Sequence, residues 1–347
     1  PAMTATERDE YSVLNPDAFT RFFVCKEILK KDFAKRSIKL LDVGGGSKYF
    51  QSALLRDKLP YDLSVIDILP QPKKELGYTY VQGDATKMEF ADSSFDAVVS
   101  MDVLEHIGDD RKVAFIRECF RVAKDLVVIA GPFESPETTQ AEKSGNDFFR
   151  SLHGREHPWL IEHFEQNRPT KELMDTQIKK LGCPHLEFES NYLPSWLRLL
   201  LVNFIPETIV DSKKVQELNR FYNENFLRLN DFASPGYRHF YLLYKNSSLK
   251  KEFNNYFKPE NSISHQLIFE HKITELTTGE LTKLRAELTD ANNRLELTVT
   301  TAKELTARLE DTARHAGNLQ AMLDDIHNSK AYKLAHGFGS LKRILKK

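Results

Sequence analysis

Cysteine is scarce. Cys25, Cys119 and Cys183 are the only three in 347 residues, far apart and never as CxxC. A disulfide framework and a cysteine-held zinc are therefore not expected, which suits a reducing compartment. Charge of one sign is missing too. Lys and Arg number 49 against 50 Asp and Glu, a net charge of −1, so a globally basic nucleic-acid binder is not indicated and no nucleic-acid partner is expected. The most apolar stretch, WLRLLLVNFIP at 196–206, is half the ~20 residues a membrane span needs and carries Arg198 and Pro206. It reads as a buried or amphipathic helix. The opening PAMTATERDEYS lacks the apolar core of a secretion signal, so a cytoplasmic location is expected.

What is present changes character near residue 246. Before it, an apolar face recurs at Phe19, Phe22, Phe23, Ile28 and Leu29, predicting a helix. Short apolar runs follow at 38–44, 63–69, 79–84, 95–101 and 125–131, separated by helical patterns. That alternation predicts an α/β fold with a parallel sheet. A helix over 170–182 stops at Gly182. Two further strands are expected at 185–193 and 237–245, the second Tyr-rich and alternating like an antiparallel edge strand. The expected organisation is a disordered 1–10, a globular domain over 11–245 with insertions at ~133–169 and ~194–235 forming a lid, and a linker over 246–265.

Aromatics almost vanish after Phe269. A seven-residue repeat then runs from Leu281 to Ile326. Leu281, Leu288, Leu295, Ala302, Leu309, Ala316 and Leu323 take one seam position. Leu284, Ala291, Thr298, Leu305, Thr312, Leu319 and Ile326 take the other. A straight helix drifts about 20° per heptad against such a period, so 266–328 reads as a long coiled coil joining two or three copies of the chain. Residues 329–347, SKAYKLAHGFGSLKRILKK, are basic, with Leu341, Ile344 and Leu345 as an apolar stripe. Such a tail suits an anionic membrane surface or an acidic partner.

The stretch LLDVGGGSKYF (40–50) poses the functional question. It lacks the third glycine of G-x-G-x-x-G and is no G-x-x-x-x-G-K-[ST] loop. Asp42-Val43-Gly44-Gly45-Gly46, with Asp67 25 residues on, Gly83-Asp84-Ala85 after the third strand and FDAVVSMDVLEHI (95–107) as the fourth strand and its exit, resembles the class I S-adenosylmethionine-dependent methyltransferases, type 11 above all. The resemblance implies a Rossmann-like fold, a mostly parallel seven-stranded sheet with an antiparallel edge strand, and S-adenosyl-L-methionine as cofactor. It implies that Gly44 and Gly46 admit the donor's amino-acid tail and that Asp67, with Ile68, takes the ribose. Asp84 and Ala85 would face the adenine, and Asp42 and Asp102 the ammonium. Met101 and Leu104 would flank the adenine or the sulfonium.

An alcohol acceptor needs a base or a metal. Two constellations offer one. In the first, His106 is a candidate base, and Asp102, Glu105 and His106, read as one face of a helical turn, are the alternative as metal ligands; the expectation is no metal. The second is SLHGREHPWLIEHFEQNRPT (151–170), where His157, Glu162 and His163 are candidate catalytic groups, Trp159 a sugar-stacking ring, and Arg150 and Arg155 anion holders. The competing reading of this loop is a lid helix whose Trp159, Leu160 and Phe164 pack inward while its histidines face water. The pattern S-x-A-Y-K-L at 329–334 after a coiled coil resembles tails of bacterial cell-surface polysaccharide enzymes. It implies a lipid-linked glycan acceptor, O-antigen or capsule, methylated at a sugar hydroxyl, and a glycosyltransferase partner. A scaffold protein using the coiled coil as spacer and a small-molecule methyltransferase are the alternatives.

Overall fold

The computed structural model describes residues 11–34, 36–45, 48–56, 60–70, 78–207, 211–227, 231–257 and 263–277. Gly46, the heptads from Leu281 onward and the basic tail lie outside the described residues, as does the N-terminal stretch 1–10.

The chain begins with helix α1 (Pro16–Phe33), started by Asn15, whose side chain accepts from Asp17 N, and by Pro16 in the first turn. Strand β1 (Ile38–Val43), helix α2 (Lys48–Arg56), strand β2 (Tyr61–Asp67), strand β3 (Thr79–Gln82) and strand β4 (Phe95–Met101) follow. A 3₁₀ turn (Leu104–His106) leads to helix α3 (Asp109–Val122) and strand β5 (Ala123–Pro132). Helices α4 (Pro136–His153), α5 (Pro158–Glu165) and α6 (Lys171–Leu181) precede strand β6 (His185–Tyr192). Helices α7 (Leu193–Asn203) and α8 (Ser212–Phe221), with a π turn (Tyr222–Phe226), lead to strand β7 (Gly236–Tyr244). Beyond it lie α9 (Phe253–Tyr256) and α10 (Ile263–Thr277).

The sheet runs β3-β2-β1-β4-β5-β7-β6, with β3 through β5 parallel and β7 antiparallel to both its neighbours. This seven-stranded, mostly parallel sheet is the Rossmann-like architecture expected. One expectation is corrected: the antiparallel strand is not at the edge. β7 lies between β5 and β6, and its side chains are buried almost throughout, whereas β6 forms the half-exposed rim. Tyr237, Tyr241 and Tyr244 are all buried, on both faces of β7, so the tyrosines fill core space and no face of the strand meets water.

Successive strand residues feed two cores. Leu40, Val65, Val99, Val128 and Leu242 face α1. Leu41, Val98, Ile129, Tyr241 and Leu243 face α3 and α6. Burial on both faces is why the parallel strands read as continuous apolar runs. Residues 196–203 of the apolar stretch are helical as expected, with Trp196, Leu197 and Leu200 buried against Phe148, Phe149 and Leu160, while 204–206 lie beyond the helix end. Both insertions thus share a third core. Among the described residues no helix is long and apolar enough to cross a membrane.

Candidate active site

Parallel pairing places the ends of β1 to β5 at one edge of the sheet, where an open α/β sheet takes its ligands. Gly44 turns the chain there at φ +71, and a Cβ on it would come within 2.5 Å of Val103 Cγ2. A Cβ on Gly45 would overlap the buried carboxylate of Asp42. The missing side chains therefore make room for Val103 and Asp42 as well as for a ligand. Asp67 ends β2, one of its oxygens accepting from Leu69 N at 2.8 Å. Beside it Ile68 and Leu69 are 66% and 64% exposed. Asp84 follows β3 and accepts from Thr86 N and Oγ1 at 2.8 and 2.7 Å; these bonds hold its pKa below the usual range. Ala85 packs at the margin of the α3 core, and Met101 is buried at the tip of β4.

Two residues expected at the donor play other parts. Leu104 is a core side chain, 1% exposed. Asp102, in a left-handed conformation (φ 55), is gripped by two guanidiniums. Its Oδ2 accepts from Arg21 Nη1 at 2.5 Å and Arg238 Nη2 at 2.6 Å, and its Oδ1 from Arg238 Nε at 2.7 Å. Burial pushes the Asp102 pKa up, but Arg238 and then Arg21 outweigh it, and the group stays well below the usual carboxylate range. With both oxygens so engaged, Asp102 anchors α1 and β7 to the β4 exit and is not poised to receive an ammonium. Nor does it share a helical turn with Glu105 and His106, because the 3₁₀ turn starts two residues later.

The cap completes what the β4 exit begins. His106 Nδ1 lies 2.9 Å from Glu162 Oε1 on α5. His163, the next residue, has Nδ1 2.9 Å from Glu142 Oε1 on α4, and Tyr237 donates to that same oxygen at 2.8 Å while Arg168 holds the other. The two imidazole centroids are 5.6 Å apart. Glu105 is fully buried, and neither carboxylate oxygen has a hydrogen-bond partner among the described residues. Burial, then the charge of Asp102, push its pKa well above the usual value.

His106, Glu162 and His163 are thus brought together, as a catalytic group requires. The lid reading holds for Leu160, which is buried, and is corrected for the other end of the helix: His163 is buried and Phe164 is exposed, because Glu142 and Arg168 give the imidazole polar company inside. His157 lies apart from that pair. Its ring packs on Phe149, Trp159 and Phe204, its backbone N–H donates to Asn146 Oδ1, and its Nδ1 has no hydrogen-bond partner among the described residues. Burial, then the charges of Arg155 and His153, lower its pKa to about 4, so it stays neutral near pH 7. Trp159 touches both His157 and His163, at centroid distances of 5.0 and 5.2 Å. A cavity of about 490 Å³ opens here, lined in part by Asn15, Asp17, His157, Trp159 and Asn203. Arg150 is paired with Asp147 and Glu156, and Arg155 lies over Phe149.

Sequence reasoning missed Arg21, Glu142, Arg168 and Arg238. Arg238 carried a signal: a charge inside an otherwise apolar strand must meet a counter-charge if the strand is buried. The others sit in ordinary helical or loop contexts.

Residues 41–129 match the family described as "Methyltransferase domain". An uncharacterized methyltransferase of Mycobacterium sp. (strain KMS) is 32% identical over 113 residues, covering 28% of this chain and 42% of the relative. The chloroplastic 2-methyl-6-phytyl-1,4-hydroquinone methyltransferase 2 of Oryza sativa subsp. japonica is 27% identical over 119 residues, 32% of this chain and 34% of the relative. The chain thus spans less than half the length of these curated relatives. Among solved structures, the plantazolicin methyltransferase BpumL in complex with SAH aligns over 69% of this chain and 89% of its own, at 12% identity and a TM-score of 0.42. That likeness carries no argument. The match supports a methyltransferase domain over residues 41–129, with S-adenosyl-L-methionine as its cofactor.

Proposed function

We propose that this protein is a methyltransferase that O-methylates a sugar hydroxyl of a bacterial surface polysaccharide. The observation that carries it is the meeting of His106–Glu162 and His163–Glu142 at the exit of β4, on the edge where β1 and β2 end, with Asp42 one residue before the end of β1 and Asp67 closing β2. That edge fits the donor. Asp67 supplies an acceptor for ribose hydroxyls, Asp84 one for an adenine amine, and the exposed Ile68 a flat apolar surface. Asp42 and the bare Gly44–Gly45 backbone suit the amino-acid end. When bound, S-adenosyl-L-methionine supplies an electrophilic methyl group.

The chain's own task is to hold and activate the acceptor. A sugar hydroxyl is a poor nucleophile at neutral pH, and imidazoles oriented by carboxylates are groups that answer this, as a base or as ligands of a metal that acidifies the hydroxyl. Trp159 offers an apolar sugar face its stacking partner, and Asn15, Asp17 and Asn203 around the same cavity offer hydroxyl partners. The heptads of 281–326 and the basic tail 329–347 support a large, membrane-proximal acceptor. A lipid-linked glycan, a homo-oligomer, a glycosyltransferase partner and peripheral membrane contact belong to the same proposal. Transfer of radiolabelled methyl from the donor to purified O-antigen or capsule glycan tests it. Label in the glycan is expected; donor turnover with label only in small molecules would replace the acceptor class.

A further inference from the structure

We propose that Glu105, His106 and His163 form a binding site for a divalent transition-metal ion. The inference rests on the proposed methyl transfer only for its role, not for the site itself. One ligand atom from each residue lies within 4.8 Å of the other two. The independent observation is Glu105, a buried carboxylate whose two oxygens have no partner among the described residues. The neighbouring carboxylates are all provided for: Asp102 by Arg21 and Arg238, Glu142 by Arg168 and Tyr237, Glu162 by His106. Of these carboxylates Glu105 alone has no hydrogen-bonded partner among the described residues.

The histidines are arranged as metal ligands are. Each has its Nδ1 against a carboxylate, His106 on Glu162 and His163 on Glu142, both at 2.9 Å, which leaves Nε2 with its lone pair. A carboxylate behind the imidazole fixes its tautomer and raises its basicity as a ligand. Two imidazoles and one carboxylate favour zinc, iron, cobalt or manganese over magnesium and calcium, which prefer oxygen. Ligands at about 2.1 Å in tetrahedral geometry stand roughly 3.4 Å apart, so the set must close slightly. His106, whose side chain is 35% exposed, has room to do so. Three protein ligands leave a coordination position open. A sugar hydroxyl held there becomes more acidic and loses its proton to solvent more readily.

The test uses the full chain freed of metal by a chelator. Titration with Zn²⁺ by calorimetry, and with Co²⁺ by visible absorption, is expected to give one ion per chain, with Mg²⁺ at least 100-fold weaker. The Co²⁺ spectrum is expected to be that of a four- or five-coordinate ion with nitrogen ligands. His163→Ala and Glu105→Gln are each expected to weaken Zn²⁺ at least tenfold, and Glu142→Gln tenfold to 100-fold. No stoichiometric ion, a six-coordinate aqua spectrum, or binding indifferent to His163→Ala and Glu105→Gln would overturn the proposal. The wild-type spectrum stands even if a variant misfolds. A parallel titration with S-adenosylmethionine separates this failure from failure of the methyl-transfer reading.

Discussion

Arg238 on β7 grips both oxygens of Asp102 after β4, Nε to Oδ1 at 2.7 Å and Nη2 to Oδ2 at 2.6 Å. Residues 136 apart in sequence thus lock the antiparallel strand to the loop that carries Glu105 and His106. Arg21 adds α1 to the lock, and Asn191 and Asp17 take the remaining guanidinium hydrogens. Arg238→Met leaves a buried carboxylate short of a cation, a change that costs about 3–5 kcal/mol. Urea denaturation should show a loss of that size. A loss under about 1 kcal/mol would mean that Arg21 suffices.

Gly44 and Gly45 fail differently when given a side chain. Gly44→Ala places a Cβ at φ +71 and 2.5 Å from Val103, adding about 1–2 kcal/mol of backbone cost to a steric one. Val103→Ala in the same chain should recover the steric part of the melting temperature and not the backbone part. Gly45→Ala displaces the Asp42 carboxylate, so Val103→Ala should not help it.

Asp231 gives a pH signature. Burial pushes its pKa to about 6, against hydrogen bonds from Tyr222 Oη and Asn191 N and the attraction of Arg238. Between about pH 4 and 6 the native chain holds a proton that the unfolded chain has released, so rising pH favours unfolding over that window and has no further effect above it. Asp231→Asn, which cannot ionise, should gain on the wild type by up to about 3 kcal/mol between pH 4 and pH 7.5. Urea unfolding at the two pH values checks this. His157 acts in the opposite sense: neutral in the native chain down to about pH 4, it costs stability as pH falls below about 6.5.

Glu162→Gln removes the carboxylate that orients His106. Turnover should fall about tenfold to 100-fold, the range for such supporting groups, with donor affinity unchanged. Single-turnover kinetics beside donor calorimetry separates the two effects. Equal losses in both would place Glu162 in the donor site.

How much of this was legible follows from what is local. The parallel strands announced themselves because burial on both faces makes them apolar throughout, and Gly182, left-handed at φ 62, marked its helix end. The strand-end places of Asp67 and Asp84 were readable because each follows a strand-like run, and that of Asp42 because only Val43 separates it from the glycines that follow β1. The position of β7 was not, since a Tyr-rich alternation fits either a rim or a core that hydrogen-bonds its hydroxyls. The partners of His106 and His163 lie 56 and 21 residues away, on insertions whose packing no periodicity encodes. Asp102 misled because a carboxylate beside a ligand edge looks alike whether it awaits a ligand or a buried arginine.

The most direct measurement is calorimetric titration of S-adenosylmethionine into the wild-type chain and into Asp67→Ala. Saturable one-to-one binding to the wild type, weakened at least tenfold by the substitution with the melting temperature preserved, is the expected result, since Asp67 ends β2 in a partly exposed turn. A wild type that takes up no donor, or an Asp67→Ala chain that binds it equally well, would contradict the account.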